Sequence, residues 1–119
     1  MNLLEETKRA LQEFKHNISD IIWIGGNDYR IKIDEFIKLA DVEYDNGYGG
    51  QEVAKDLVVV GEDWFLERHE YDGAEWWEYK TIPQMPKAVK TVNGLTGGSW
   101  STLAEINEGN YDMRGGEQE

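Results

Sequence analysis

The side chains best suited to chemistry lie in an aromatic-rich stretch over 64–79. If Asp72-Gly73 makes a two-residue turn, the flanking strands align so that Glu67 faces Glu78, with His69 on the same side of the sheet. Two facing carboxylates repel, so a protonated imidazole, a divalent ion or a basic group of a partner must compensate them. In an enzyme, the imidazole would act as acid or base. No evident nucleophile accompanies it, and we predict that the chain is not an enzyme.

A second acidic segment, 41–52, approaches the spacing of a calcium-binding loop. Acidic residues occupy its first, third, fifth and twelfth positions, namely Asp41, Glu43, Asp45 and Glu52. However, the sixth position is Asn46, where the motif usually has Gly for its sharp bend. The residues that follow have a strand pattern, whereas the motif needs a helix. We therefore expect a helix-to-strand connection here, and neither a bound metal nor a cofactor.

Charge is distributed unevenly along the chain, and this restricts its partners. The net charge is −12, and residues 41–79 hold twelve Asp and Glu against only Lys55 and Arg68. Direct nucleic-acid binding is disfavoured, because contacts with phosphate need Lys and Arg. An acidic block suits a basic protein partner, a metal ion or simply a soluble surface. Residues 80–104, by contrast, contain three Lys and no acid.

Length and composition predict one cytoplasmic domain. The chain has 119 residues, no Cys and 14 aromatic residues, enough to build a single core without disulfides. Its charged first segment does not resemble a signal peptide, and it has no run of about 18 apolar residues to span a membrane. We expect the domain to cover 1–109 and a flexible acidic tail to cover 110–119.

Hydrophobic periodicity and turn residues predict an α+β fold, with two helices packed on an antiparallel sheet of about four to six strands. Asn2 and Asp34 are the expected N-caps of the two helices. The predicted elements before the aromatic hairpin are a helix over 3–17, a hairpin over 20–33, a helix over 35–42 and a central strand over 53–60. Those after it are an edge strand over 87–92 and a short helix over 102–107.

The two-residue turn fixes which side chains of the hairpin share a face. The more apolar face is the expected core and carries Trp64, Leu66, Arg68, Trp77 and Tyr79. On this face Arg68 lies opposite Trp77, which predicts a cation–π contact.

The runs Leu39-Ala-Asp-Val-Glu-Tyr-Asp-Asn-Gly-Tyr-Gly-Gly50 and Leu66-Glu-Arg-His-Glu-Tyr-Asp-Gly-Ala-Glu-Trp-Trp-Glu-Tyr79 resemble small accessory proteins of phages and prophages of Gram-positive bacteria. The similarity covers about residues 33–82 and carries over no functional residue. It implies an accessory protein of a mobile element that acts in the host cytoplasm. Such proteins frequently inhibit host defence, and acidic ones sometimes imitate DNA.

The leading hypothesis is therefore an anti-CRISPR-like protein. It would bind and inhibit a host protein with a basic nucleic-acid-binding surface, such as a CRISPR effector, through a DNA-mimicking surface. The predicted partner-binding residues are Asp63, Glu67, His69, Glu70, Asp72, Glu75, Trp76 and Glu78. Two alternatives stay open: a phage structural or interaction module, and a small metal-binding or hydrolytic protein that uses Glu67, His69 and Glu78 or the loop 41–52.

Overall fold

The computed structural model describes residues 1–47 and 49–108, and it confirms the α+β class. Five antiparallel strands form one sheet in the order β2-β1-β3-β4-β5. Contacts divide the chain into two compact units, Met1–Gln84 and a unit that begins at Met85, and the sheet belongs to the first. The elements are α1 (Leu3–Glu13), β1 (Trp23–Gly25), β2 (Arg30–Ile31), α2 (Ile33–Ala40), β3 (Val58–Val60), β4 (Trp64–Tyr71), β5 (Ala74–Thr81) and α3 (Leu103–Glu108).

Helix α1 has the predicted cap but ends four residues before the expected position. The Asn2 side chain accepts a hydrogen bond from the Glu5 N–H at 2.9 Å. The helix stops because Lys15 adopts a left-handed conformation with φ of 65°. The next residue, His16, donates its N–H to the Leu11 carbonyl at 2.9 Å, which is the Schellman arrangement that closes helix C-termini.

The predicted β1–β2 hairpin is present, with Ile24 opposite Ile31, but its strands span only 23–31 instead of 20–33, because a 3-10 turn over Ile18–Asp20 precedes β1. Helix α2 follows directly, and it begins at Ile33 rather than Glu35. The predicted cap is therefore wrong: Lys32 occupies the N-cap position and no side chain caps the helix. Asp34 lies inside the first turn, where a carboxylate still interacts favourably with the helix dipole.

The central strand is shorter than its apolar run predicts. Strand β3 covers only Val58–Val60, because a turn in which the Leu57 N–H bonds to the Ala54 carbonyl precedes it. Its position between β1 and β4 is the predicted central one, and Val59 is completely buried.

The β4–β5 hairpin has the predicted register along its whole length, from Tyr71 opposite Ala74 to Leu66 opposite Tyr79. Asp72 and Gly73 have φ of 52° and 88°, the two positive values that a type I′ turn requires. The guanidinium of Arg68 lies over a ring of its facing residue at 4.7 Å, so the predicted cation–π contact is confirmed. Of the predicted core face, Trp64, Leu66, Arg68 and Trp77 are buried and Tyr79 is partly buried. The same core includes residues of both helices and of β1, among them Leu11, Phe36 and Ile24.

The second unit lacks the predicted edge strand over 87–92. These residues are exposed, and Val89 keeps 96% of its surface, so no apolar face is buried that would stabilise a strand. Helix α3 has the predicted capping box, since Thr102 Oγ1 accepts the Glu105 N–H at 3.1 Å and Glu105 Oε1 accepts the Thr102 N–H at 2.9 Å.

One domain over 1–109 stays a prediction, and the tail predicted over 110–119 lies outside the described residues. In the described part of the chain, no helix has the length and apolarity needed to cross a membrane.

Candidate functional site

Half of the predicted site residues share the face of the sheet that is turned away from α1 and α2. Side chains alternate along β4 and β5, so those opposite to the core form this outer face. It holds Phe65, Glu67, His69, Trp76, Glu78 and Lys80. The imidazole of His69 stacks near the indole of Trp76, with ring centroids 6.4 Å apart.

The facing carboxylates of the outer face are compensated within the chain. Glu67 Oε2 lies 2.7 Å from His69 Nε2 and 3.1 Å from Lys80 Nζ. These hydrogen bonds, first that of His69 and then that of Lys80, hold the pKa of Glu67 below its usual value. Opposite, Glu78 Oε2 accepts the indole N–H of Trp76 at 2.8 Å. A metal ion or a partner is therefore not needed to keep this pair together.

Glu75, which was predicted among the partner-binding residues, lies in the core and is not exposed. It faces Glu70, as the register predicts, but only 1% of its surface is exposed. Its position two residues before Trp77 places it on the core face of β5. Glu75 Oε1 accepts a hydrogen bond from Arg68 Nη2 at 2.7 Å, and Oε2 accepts one from the Glu52 N–H at 2.7 Å. Glu75 therefore does not contribute a charge to the exposed surface.

The acidic loop is attached to the outer edge of β5 next to the hairpin turn. The Asn46 side chain donates to the Glu75 carbonyl at 2.9 Å and accepts the Glu75 N–H at 2.8 Å. The Gly47 N–H donates to the Gly73 carbonyl at 2.9 Å. Asn46 thus pairs with the strand edge as a further strand would, and it brings an acidic loop against an acidic turn.

A buried cluster of polar side chains also attaches the loop to the core, through Tyr44. Arg68 Nη1 donates to Glu6 Oε2 at 3.1 Å, and the Tyr44 hydroxyl donates to Glu6 Oε1 at 2.5 Å. Arg68 Nη2 also donates to the Tyr44 hydroxyl at 3.2 Å. Burial, followed by the hydrogen bond to Glu6, raises the pKa of Tyr44 to about 12. Helix α1, the loop and the hairpin are therefore joined through one arginine.

The attachment of the loop brings four exposed carboxylic acids to one end of the sheet, which we call the acidic end. They are Asp45, Glu52, Glu70 and Asp72. Among residues 1–47 and 49–108, none of these four carboxylates has a salt-bridge partner. The remaining predicted site residue, Asp63, precedes the other end of β4, about 30 Å away at the usual rise per strand residue.

The acids of the calcium-like spacing do not converge. The Asp41 carboxylate accepts a hydrogen bond from Asn2 Nδ2 at 3.0 Å, whereas Glu43 Oε1 contacts the N-terminal amino group at 3.1 Å. A turn and a strand follow the loop, where the calcium motif would have a helix. Over the part of the chain that the structure describes, no group of three or more His, Asp or Glu could hold a metal ion.

Sequence reasoning missed the partners of the buried arginine. Glu6 and Tyr44, which contact Arg68, and Asn46, which contacts Glu75, were not expected to contribute to the site. One signal pointed towards a buried ion pair: Arg68 occupies a core-facing strand position, where a charge needs a carboxylate nearby. The register then offers Glu75 as its diagonal neighbour across the hairpin. No sequence signal identifies Glu6, which is 62 residues away.

Comparisons of this chain with protein-family models, with curated proteins and with solved structures found no match.

Proposed function

We propose that the acidic end binds a basic surface of another protein, of the kind that otherwise binds nucleic acid. The observation that supports this is the meeting of Asp45 and Glu52 with Glu70 and Asp72, without a salt-bridge partner among the described residues. Like charges collected at one end of a sheet repel one another. A basic partner would neutralise them, and complementary charge would increase the rate of association.

The attachment of the loop favours binding. Loops that become ordered only upon binding lose conformational entropy, and this loss weakens the complex. Here Glu75 of β5 binds the Asn46 side chain and the Glu52 N–H, so that the loop is attached on both sides of its glycines. The acidic end therefore presents its carboxylates on a preformed support, as a duplex presents its phosphates.

The contact would extend from the acidic end onto the outer face. Trp76 lies two residues after the first residue of β5 and keeps 36% of its surface exposed, next to His69. A partly exposed Trp beside a charged patch is a common anchor in protein interfaces. Glu67 and Glu78 would lie at the margin of the contact, since their charges are already compensated within the chain.

In its specific form, the proposal is that the protein acts in a host cytoplasm and inhibits a nucleic-acid-handling protein, such as a CRISPR effector. Its support is the resemblance of residues 33–82 to phage accessory proteins, together with the negative sign of the acidic end. The partner would then be unable to bind DNA while the inhibitor occupies its basic groove.

The test measures binding of the purified chain to a CRISPR effector loaded with guide RNA, and to several purified DNA-binding proteins without sequence preference. The acidic-end variant combines Asp45→Lys, Glu52→Lys and Asp72→Asn; the last change avoids strain, because Asn tolerates positive φ. The control variant makes the same changes at exposed acids elsewhere, Glu13→Lys, Glu62→Lys and Asp28→Asn. Both variants have the same net charge.

We expect the wild type and the control to bind and to compete with duplex DNA. Affinity should fall when salt rises from about 50 to about 500 mM, because screening weakens exposed charge pairs. The acidic-end variant should bind at least about tenfold more weakly, a loss of about 1.4 kcal/mol. Equal binding by both variants, or affinity independent of salt, would contradict the electrostatic mechanism. If the DNA-binding proteins bind and only the CRISPR effector does not, the proposal of a CRISPR effector as target is wrong. The proposal that the acidic end binds basic protein surfaces then stands.

A further inference from the structure

We propose a second interaction surface at the opposite edge of the sheet, where a groove along β2 and the exposed side of α2 binds an extended acidic and apolar segment of a partner protein. The β2–α2 groove is lined by Ile22, Trp23, Arg30, Lys32, Lys38 and Leu39. Its position is independent of the acidic end, which adjoins β5.

The sheet has a free edge in this groove, because β2 is the first strand in the sheet order. The hydrogen bond from the Gly26 N–H to the Tyr29 carbonyl sets the alternation of the β1–β2 ladder. The backbone N–H and C=O of Ile31, two residues after Tyr29, therefore point to β1. Those of Arg30, between them, point to the free edge. An extended segment could form one pair of backbone hydrogen bonds there, which would set its register.

One pair of backbone bonds gives little affinity, so side chains must supply the rest. Two adjoining hollows of about 520 and 450 Å³, the first beside β2 and the second on α2, share Lys32 and Asp34. Large apolar side chains are exposed along them, with Ile22 at 60% and Leu39 at 62%. The hollow beside β2, lined by Ile22, Trp23 and Ile33, can take an apolar side chain of a bound segment. The hollow on α2, where Lys32 and Lys38 stand beside Leu39, can take an acidic one.

Charge determines which segment fits. Arg30, Lys32 and Lys38 line the groove, and none has a salt-bridge partner within the described residues. Three cations exceed the two neighbouring acids, Asp34 and Glu35, although the whole chain has a net charge of −12. An acidic segment is therefore attracted to this groove and repelled by most of the remaining surface.

Basic residues on an edge strand also have a protective role, since they discourage pairing between sheets. That role explains Arg30 and Lys32 on β2. It does not account for the apolar hollow beside them, where Ile22 keeps 60% of its surface exposed next to Trp23 and Ile33. An edge that is only protective would not bind an acidic segment, whereas the proposed groove would.

The probe is a fluorescein-labelled peptide of alternating Glu and Val, titrated with the full chain and followed by fluorescence anisotropy. A peptide of alternating Lys and Val controls for charge. We expect saturable binding of the Glu–Val peptide at low salt and at least about tenfold weaker binding of the Lys–Val peptide. NMR shift changes should concentrate in residues 22–39.

The matched variants are Arg30→Glu with Lys38→Glu in the groove, and Lys8→Glu with Arg9→Glu on the exposed face of α1. Circular dichroism checks that both retain the fold. The groove variant should lose binding about tenfold or more, and the α1 variant should bind as the wild type does. Equal binding of both peptides, or no saturable binding, would overturn the proposal. Sedimentation of the chain alone provides a further test: a dimer that the groove variant abolishes would assign the groove to a second copy and contradict the partner segment.

Discussion

Arg68 donates from Nη2 to Glu75 Oε1 over 2.7 Å, and neither side chain has any exposed surface. The two residues lie diagonally across the β4–β5 hairpin on its core face. The same carboxylate accepts the backbone N–H groups of Glu52 and Val53. One buried ion pair therefore joins the hairpin to the loop that supplies half of the acidic end.

Removing the charge of Glu75 should strongly destabilise the protein. Glu75→Gln leaves the guanidinium of Arg68 in the core with one anionic partner fewer, and we expect a loss of about 3–5 kcal/mol in the free energy of unfolding. Urea denaturation measures it, with the exposed Glu62→Gln as the control, expected within about 0.5 kcal/mol of wild type. A loss below about 1 kcal/mol would mean that the pair contributes little.

The type I′ turn should not tolerate a β-branched residue at its second position. Gly73 has φ of 88°, and we expect Gly73→Val to reduce the free energy of unfolding by about 1–3 kcal/mol. Gly50→Val is the matched control, since a Cβ there meets nothing within 4 Å. Denaturation midpoints that shift equally in the two variants would argue against a strained turn.

Gly61 should be sensitive to the addition of a single methyl group. A Cβ there would lie 2.1 Å from Trp64 Cε2, in a ring that is only 2% exposed. Gly61→Ala should therefore cost about 1–3 kcal/mol and change the near-ultraviolet circular dichroism of the buried indole. At Gly94 the nearest atom would be 3.6 Å away, so Gly94→Ala should leave both measurements close to wild type. An unchanged spectrum of Gly61→Ala would contradict this packing.

Alkaline pH should destabilise the loop through Tyr44. Its pKa rises from 10.0 to about 12 on folding, so the folded state favours the neutral phenol. The resulting stabilisation is complete below pH 10 and is lost as the pH rises to about 12. Unfolding free energies across this range should fall less steeply for Tyr44→Phe than for the wild type. Parallel curves, offset only by the lost hydrogen bond, would show that Tyr44 is not responsible.

Acid should destabilise the outer face through Glu67. Its folded pKa lies below the ordinary 4.5, because His69 and Lys80 donate to the carboxylate. The stabilisation is therefore present above pH 4.5 and is lost as the pH falls through the lower, folded value. Glu67→Gln should remove this part of the acid sensitivity, which thermal melts between pH 3 and 6 can detect. If wild type and variant lose stability in parallel, the contacts of Glu67 are not responsible.

Local sequence was sufficient where a short-range rule applies. Asp72-Gly73 predicted the turn, and the turn predicted the register of β4 and β5 along with the contact between Arg68 and Trp77. Asn2 predicted the start of α1 for the same reason, since a cap acts within one turn of a helix. The extent of the elements was less predictable: β3 is shorter than its apolar run, because a turn within 53–57 interrupts it.

The sequence by itself determined the class of fold, the hairpin and the excess of acid in 41–79. Only the tertiary structure decided which acids are buried and which are exposed together. Glu75 faces Glu70, yet strand alternation and the core position of Arg68 bury it. Asn46 and Gly47, by contrast, attach the loop that contains Asp45 to β5 and to the turn at Gly73. The reason is physical: burial and ion pairing depend on contacts between residues distant in the chain, as in the bond from Arg68 to Glu6.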